Sequence, residues 1–348
     1  MTMPQTTPTP STPTEPAPTL TPQSPRMKWL RRSFTTSPAY MSVVLLVMII
    51  VFSALRPDAF PSLANARNVI LDASTLLVMA VGMTYVMVAA GLDLSVGSVL
   101  VFAGVCSAKV MGVMGTDNGL TVLVGLAVAL LGGLVWGVFN GFCITRLRVP
   151  ALITTLGSLG AALGTAHLVT SGNDVRTVPL TMIEFAVGGF LGLSWLVWIS
   201  LGVTVVAALV LGTTRFGRHT YIVGSNAEAG RRAGINVDRH LMKLYAISGL
   251  TAGLAGWLSL ARFATTTISG HSTDVLQVIT GVVLGGTSLY GGSGTILGTV
   301  VGVFIPTVLN NGFIVINVVP FWQEVATGLI LIAAVYIDQL KRRSRDRA

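Results

Sequence analysis

The sequence predicts an all-α, polytopic membrane protein, a bundle of about ten transmembrane helices with cytoplasmic N- and C-termini. Of its 348 residues, 52% are hydrophobic and 10% are charged, whereas soluble domains carry about 25% charged residues. The apolar residues form long continuous runs, which favours helices over the alternating strands of a membrane barrel. The basic residues fall mainly in alternate connections, as the positive-inside rule requires.

The N-terminal segment differs from the rest of the chain. Residues 1–25, MTMPQTTPTPSTPTEPAPTLTPQSP, are mostly Pro, Thr, Ser and Gln. Such a segment buries too little apolar surface to fold, and it lacks the apolar core of a signal peptide. We therefore divide the chain into a disordered cytoplasmic tail with a basic end (1–35), a membrane domain (36–340) and a basic cytoplasmic tail (341–348).

The apolar runs define the spans. A bilayer core about 30 Å thick needs roughly 20 apolar residues per helix. The first and eighth runs are short, so we expect them to be tilted, partly re-entrant or extended by neighbouring residues. The predicted spans cover residues 39–55, 69–90, 95–114, 120–144, 150–170, 193–213, 241–261, 275–290, 295–315 and 320–338.

The distribution of positive charge sets the orientation. With the N-terminus inside, most of the 22 Lys and Arg residues are cytoplasmic: they lie in residues 26–32, 146–148, 215–243 and 341–347. This placement follows the positive-inside rule. It accounts for the net charge of +9 without a nucleic-acid partner, and it leaves membrane lipid as the expected surroundings of the chain.

Glycines spaced by four residues predict close helix packing. Small residues at this spacing let helix backbones approach each other in lipid, and we prefer this interpretation to one of hinges. The residues are Gly133, Gly137, Gly141, Gly160, Gly164, Gly249, Gly253, Gly281, Gly285, Gly294, Gly298 and Gly302.

The chain carries no recognisable catalytic or metal-binding pattern. None of its lysines lies in the phosphate-binding sequence G-x-x-x-x-G-K-S/T, and GGSGTILG (291–298) lies between apolar spans and is interpreted as a tight turn. Cys106 and Cys143 lie in apolar runs, and the four histidines lack ligand spacing. We predict that the chain is not an enzyme and binds neither a metal nor a cofactor of its own.

Polar residues inside the apolar runs are candidates for a translocation pathway. In GLDLSVGS (91–98), Asp93 or Ser95 can cap the third span. Two interpretations remain open: a cap at the cytoplasmic interface, and a broken-helix element beside a pathway. Asp72, Lys109 and Glu324 lie near span ends, where they can reach water. The pathway candidates are Asp93, Ser95, Thr287, Asn310 and Asn311.

The stretch GSNAEAGRRAGINV (224–237) is polar although apolar runs flank it. Asn226 can cap a helix of about two turns that ends at Gly234, and Asp238 can cap the following span. The predicted side is cytoplasmic. The stretch is therefore either a short helix that docks into a partner or an ordinary basic loop.

Six sequence motifs, spread between about residues 40 and 340, match one known family. From these residues the chain is identified as resembling the membrane permease subunits of bacterial ABC importers for ribose, xylose and related sugars. The motifs are AVGMTYVMVAAGLDLSVGSVL (80–100), ALITTLG (151–157), GRHTYIVGSNAEAGRRAGINV (217–237), GLTAGLAG (249–256), VVLGGTSLYGGSGTILGT (282–299) and LNNG (309–312).

The resemblance implies a function and partners. The chain would be the permease domain of a sugar importer in the bacterial plasma (inner) membrane. It would form a homodimer that works with a cytoplasmic ATPase subunit, which binds the ATP and magnesium, and with a periplasmic or lipid-anchored sugar-binding protein. The 224–237 stretch would be the coupling helix. Its residues toward the ATPase would be Asn226, Glu228, Ala229, Gly230, Arg231, Arg232 and Gly234.

Three positions depart from the family pattern. Val275 and Gln277 stand where relatives have acidic residues, and Leu163 stands where arginine is frequent. Pentoses, hexoses, polyols and furanose-like signals all remain possible substrates. The alternatives from other functional classes are a carrier driven by an ion gradient through Asp93 or Glu324, and a passive channel for small polar solutes.

Overall fold

The structure, a computed structural model, describes residues 37–346, so the predicted disordered tail lies outside it. Two short strands, β1 (Gly189–Phe190) and β2 (Leu193–Ser194), form an antiparallel hairpin. A 3₁₀ turn spans Ile268–His271. The helices are α1 (Ser37–Leu55), α2 (Leu63–Val88), α3 (Val96–Met114), α4 (Gly119–Thr145), α5 (Ala151–Thr170), α6 (Leu180–Val187), α7 (Trp195–Thr213), α8 (Arg215–Ser225), α9 (Ala227–Arg232), α10 (Val237–Phe263), α11 (Asp274–Leu284), α12 (Ile296–Val315) and α13 (Pro320–Asp346).

Seven helices in residues 37–346 are long and apolar enough to cross a membrane: α2, α3, α4, α5, α7, α10 and α12. Two shorter apolar helices, Ala39–Leu55 and Phe321–Tyr336, correspond to the first and tenth predicted spans. The structure therefore confirms an all-α polytopic membrane protein, with most boundaries within a few residues of the prediction.

The eighth predicted span, residues 275–290, is helical only in its first part. Its helix, α11, has 11 residues and ends at Leu284. At 1.5 Å per residue it is about 16 Å long, roughly half of a bilayer core. A glycine-rich turn follows, and the backbone re-enters helix only at Ile296. The re-entrant interpretation of this segment fits the structure.

The core of the bundle is built from α2, α3 and α10, which are mostly buried, while α4, α5 and α7 lie at the periphery. The largest enclosed side chains include Met83 of α2, Leu100 of α3 and Leu258 of α10. The peripheral helices expose large apolar side chains such as Leu131 and Val206, which suits contact with lipid.

Close glycine packing joins α4 to α10. A Cβ on Gly133 would overlap the carbonyl oxygen of Gly249, and a Cβ on Gly249 would overlap that of Gly133. The second seam joins α11 to α12 through the same kind of approach; its glycines are Gly281, Gly285, Gly298 and Gly302. The prediction fails for Gly160 and Gly164 within this chain, because a Cβ on either would meet no atom within 4 Å.

The connection between α5 and α7, which the charge distribution places outside, is folded. Asp117 caps α6: its Oδ1 accepts hydrogen bonds from the Thr181 hydroxyl (2.6 Å) and the Thr181 N–H (2.8 Å). These bonds, the hydroxyl bond most strongly, hold the pKa of the Asp117 carboxyl below its ordinary value. The cap ties α6 to the connection between α3 and α4.

Candidate functional site

The polar stretch between α7 and α10 contains the predicted short helix, α9. Asn226 begins it, because its Oδ1 accepts the Ala229 N–H at 2.9 Å. Gly234 ends it in the left-handed region, with φ of 82°, and the Ile235 N–H returns to the Gly230 carbonyl at 3.0 Å. The predicted bounds of this helix are confirmed.

The start of α10 differs from the prediction. Asn236 provides the cap by accepting the Arg239 N–H at 3.0 Å. Asp238, the predicted cap, instead forms a two-point ion pair with Arg148 at 3.0 and 3.2 Å, and Arg231 lies 3.7 Å from the same carboxylate. Asp238 thus connects α9 and α10 to the connection between α4 and α5.

The two faces of α9 have different surroundings. Glu228 and Ala229 are exposed, and the side chains of Arg231 and Arg232 are 48% and 80% exposed. Both arginines lie close to Glu228, at 3.7 and 3.4 Å. The outer face of α9 therefore presents a small residue among paired charges.

Gly230 lies on the opposite face of α9, where it is buried. A Cβ there would lie 3.6 Å from Ile222 and 3.9 Å from Val223 of α8. The sequence places Gly230 among the residues that meet a partner, whereas its own side of the helix meets α8. A small residue is needed here because α9 rests on α8 at this point.

The turn between α2 and α3 contains the buried carboxylate of Asp93, which is 1% exposed. Its Oδ1 accepts hydrogen bonds from the Ser95 N–H (3.1 Å) and hydroxyl (2.6 Å), and its Oδ2 accepts one from the Ser248 hydroxyl (2.7 Å). None of the ion pairs formed by the described residues includes Asp93. Neutral donors therefore stabilise this carboxylate.

The hydrogen bonds continue from Asp93 into two further helices. The Asn140 amide of α4 donates to the Ser95 hydroxyl at 2.9 Å, and the Ser158 hydroxyl of α5 donates to the Asn140 carbonyl oxygen. The network therefore joins α3, α4, α5 and α10. Asp93 accepts the N–H of Ser95, the residue that precedes α3, and is enclosed by the bundle, so the turn is a buried polar element between two spans.

Sequence reasoning missed the other members of this network. Asn140 could have been identified from the sequence, because an amide in the apolar run GLVWGVFNGFC is costly in a membrane unless it is hydrogen-bonded. No feature of the sequence distinguishes Ser158 and Ser248, since serine is frequent in tightly packed membrane helices. Tyr245, which donates to the Leu92 carbonyl at 3.3 Å, was also missed.

Asn311 lies at the opposite end of α2 from Asp93 and Ser95. Asn311 exchanges two 3.0 Å hydrogen bonds with Asn65 in the first turn of α2, whereas Asp93 follows the last turn of that helix. A helix of 26 residues is about 39 Å long. Thr287 is buried in the turn after α11, and neither its hydroxyl nor the Asn310 carbonyl oxygen has a hydrogen-bond partner among the described residues. The five candidates do not form one site.

The end of the bundle away from Asp93 carries polar contacts that the sequence did not predict. Asp72, expected to reach water, pairs with Arg262 of α10. His271 bonds to the Asp274 carboxylate through Nδ1 (2.7 Å) and to the Ser259 hydroxyl through Nε2 (2.8 Å). These contacts fasten the connection between α10 and α11.

A separate cavity of about 550 Å³ between α12 and α13 is lined by residues such as Phe313 and Trp322. It includes none of the pathway candidates.

Comparison with known proteins shows which family has the sequence that contains the Asp93 turn and α9. A family model described as branched-chain amino acid transport system / permease component matches residues 65–335. The ribose import permease protein RbsC of Escherichia coli is 36% identical over 305 residues, which cover 86% of this chain and 93% of that protein. Its counterpart from Haemophilus influenzae is 32% identical over 300 residues, covering 85% and 91%.

A second group of relatives is named for a different solute. The autoinducer 2 import system permease protein LsrC of Photorhabdus laumondii is 32% identical over 277 residues, 80% of this chain and 82% of that protein. The residues that match the family model include both the Asp93 turn and the segment that contains α9.

Proposed function

The chain belongs to the family of branched-chain amino acid transport system / permease components, and from this premise we propose that it is the permease subunit of an ABC importer for a sugar. It is a multi-pass protein of the bacterial inner membrane. Relatives named for import of ribose and of autoinducer 2 support the proposed substrate class. Within that class, pentoses, hexoses and polyols are the substrates to test.

The observation that carries the ATP-driven part of the proposal is the geometry of α9. It is a separately capped helix of six residues, held on α8 by its buried Gly230 and exposed on its other face. A polar surface of this kind between two apolar spans meets water or a protein and not lipid. An ATPase subunit that docks on α9 accounts for the exposed Ala229 and the surrounding arginines.

The proposed assembly is a homodimer of this chain with an ATPase that binds ATP and magnesium, and with an external sugar-binding protein. Hydrolysis in the ATPase moves α9, and the bundle alternates between outward-open and inward-open states. The Asp93 network joins four helices at the turn between α2 and α3, and buried polar groups inside a membrane bundle are candidates for a pathway. The positions that depart from the family pattern, Val275 and Gln277, lie in the first turn of α11, where they are candidates for setting substrate preference.

The deciding experiment is uptake of radiolabelled ribose by proteoliposomes that contain this chain, with the ATPase subunit and the sugar-binding protein encoded beside it. We expect uptake to require ATP inside the vesicles and to be abolished by vanadate. A proton uncoupler should leave it intact. Uptake that the uncoupler abolishes would indicate an ion-driven carrier, and ATP-independent equilibration would indicate a channel; either result contradicts the proposal. A panel of pentoses, hexoses and polyols would then identify the solute.

A further inference from the structure

A three-way junction lies between α8, the end of α2 and the turn that joins α11 to α12. The Tyr221 hydroxyl of α8 donates to the Gly294 carbonyl at 2.7 Å. The Gly292 N–H of the same turn donates to the Val88 carbonyl at 2.8 Å. Two hydrogen bonds therefore connect the turn to α8 on one side and to α2 on the other.

Glycine is required for the three backbones to meet. A Cβ on Gly224 of α8 would overlap the Val88 carbonyl oxygen, and a Cβ on Gly291 would lie 2.6 Å from the Cβ of Ala90. Gly291 and Gly292 have φ of 83° and 73°, which only glycine adopts readily. The contact is thus direct backbone packing, with little freedom for one element to move without the others.

The junction is adjacent to the Asp93 turn and to the end of the half-length helix α11. Val88 is the last residue of α2, and the chain runs from it through Ala90 into the turn that holds Asp93. On the other side, the glycine turn ends the half-length α11 and leads into α12, where the Thr299 hydroxyl is 2.7 Å from that of Thr84 of α2.

The junction is also adjacent to the exposed helix. α9 follows α8 directly at Asn226, and the buried Gly230 seats it against Ile222 and Val223. Tyr221 and Gly224 lie one residue to either side of that pair. A force on α9 therefore reaches α8 at the same turn of helix that touches the junction.

We propose that this junction transmits displacement of α9 to the Asp93 turn and to the α11–α12 turn, with Tyr221 as the positioning residue. The inference rests on the proposed function, since it names the route by which ATP hydrolysis reaches the pathway. Burial raises the pKa of the Tyr221 phenol, so the hydroxyl is protonated at neutral pH and is able to donate.

The test is Tyr221→Phe, which removes one hydroxyl and keeps the ring. We expect retention of the ATPase subunit during co-purification at the wild-type level, together with ribose uptake per ATP hydrolysed that is about two- to tenfold lower, the factor that one lost hydrogen bond predicts. The matched control is Tyr85→Phe, which removes another 2.7 Å tyrosine–carbonyl bond, between α2 and α7. Its ratio of uptake to hydrolysis should stay near the wild-type value.

A second pair of variants tests the backbone contact. Gly224→Ala places a methyl group against the Val88 carbonyl, so we expect a larger loss of coupling than in Tyr221→Phe. Gly212→Ala is its control, because a Cβ at Gly212 meets no atom within 4 Å. If Gly224→Ala does not fold, the tyrosine pair still decides the question.

Three outcomes would overturn the inference: an unchanged ratio in Tyr221→Phe, an equal loss in Tyr85→Phe, or loss of the ATPase from Tyr221→Phe. The last would place Tyr221 in the docking surface. Failure of the proposed function is distinct from all three, because the wild-type protein would then show no ATP-dependent uptake.

Discussion

At the scale of single residues, Asp93 illustrates how the structure stabilises a carboxylate inside a membrane bundle. Three neutral donors from Ser95 and Ser248 bind its two oxygens. A buried polar group that loses its partners is destabilising by about 1–3 kcal/mol. The donors therefore depend on Asp93 as much as Asp93 depends on them.

The first prediction compares Asp93→Asn with Asp93→Leu. Asn keeps an acceptor for Ser95, and the Ser248 hydroxyl can rotate to accept from the new amide, so we expect near-normal folding and reduced but measurable uptake. Leu leaves three donors unpaired and should lower the stability of the protein by several kcal/mol. Thermal unfolding in detergent and ribose uptake are the measurements. Complete loss of uptake in Asp93→Asn at normal membrane levels would instead show that the negative charge itself is needed.

At the scale of elements, the neighbouring small residues Ala229 and Gly230 of α9 face different surroundings. Ala229 is exposed, whereas Gly230 is buried against α8. A bulky residue at position 230 would displace α9 from α8, so such a variant would test the folding of this chain and not its contact with a partner. Docking is therefore tested at Ala229.

The second prediction is that Ala229→Trp weakens association with the ATPase subunit while the permease still inserts and folds. Overfilling a packed interface is destabilising by about 1–3 kcal/mol, which corresponds to roughly 5- to 150-fold in affinity. Co-purification and ATP hydrolysis stimulated by the binding protein provide the readout. Thr213→Trp, an exposed position at the last residue of α7, is the control. An Ala229→Trp protein that retains the ATPase and still couples hydrolysis to uptake would argue that α9 is an ordinary connection.

The third prediction concerns the seam between α4 and α10. Gly133→Leu should destabilise the bundle by about 1–3 kcal/mol or more, because its side chain has to displace the backbone of Gly249. Gly160→Leu, on the open face of α5, should leave the thermal stability of the protein unchanged. The two purified variants are compared by thermal unfolding and size-exclusion chromatography. Equal behaviour would mean that the close approach of α4 and α10 contributes little to stability.

At the scale of the whole molecule, polar contacts fall into two groups at opposite ends of the bundle. The Asp93 network, the glycine junction and α9 lie toward the end predicted to be cytoplasmic. The Asp72–Arg262 pair, the His271 contacts and the cap at Asp117 lie toward the other. This division agrees with the proposed assembly, in which the two ends of the bundle meet different proteins.

The fourth prediction tests that orientation. A fluorescent protein fused after Arg232 should fluoresce, and alkaline phosphatase fused there should be inactive, since the positive-inside rule places this segment in the cytoplasm. Fusions at Asn173 should give the opposite pair of results. If the two sites report the reverse sides, α9 is external and cannot meet an ATPase.

The sequence by itself determined the membrane class, most helix boundaries and the form of α9. These properties follow from local signals: the length of an apolar run, a cap that bonds three residues ahead, and a glycine that adopts positive φ. The ends of α9 at Asn226 and Gly234 could therefore be predicted without tertiary information. The same holds for the orientation expected from the distribution of arginines.

Only the tertiary structure decided which face of each helix lies inside and what the buried polar residues contact. Helices in lipid are apolar on every side, so no amphipathic pattern distinguishes the packed Gly133 from the open Gly160. The partners of Asp93 include Ser248, which is 155 positions away in the sequence, and no local signal links the two. The half-length of α11 and the inward face of Gly230 likewise depend on neighbouring elements, because packing between helices, and not local propensity, fixes them.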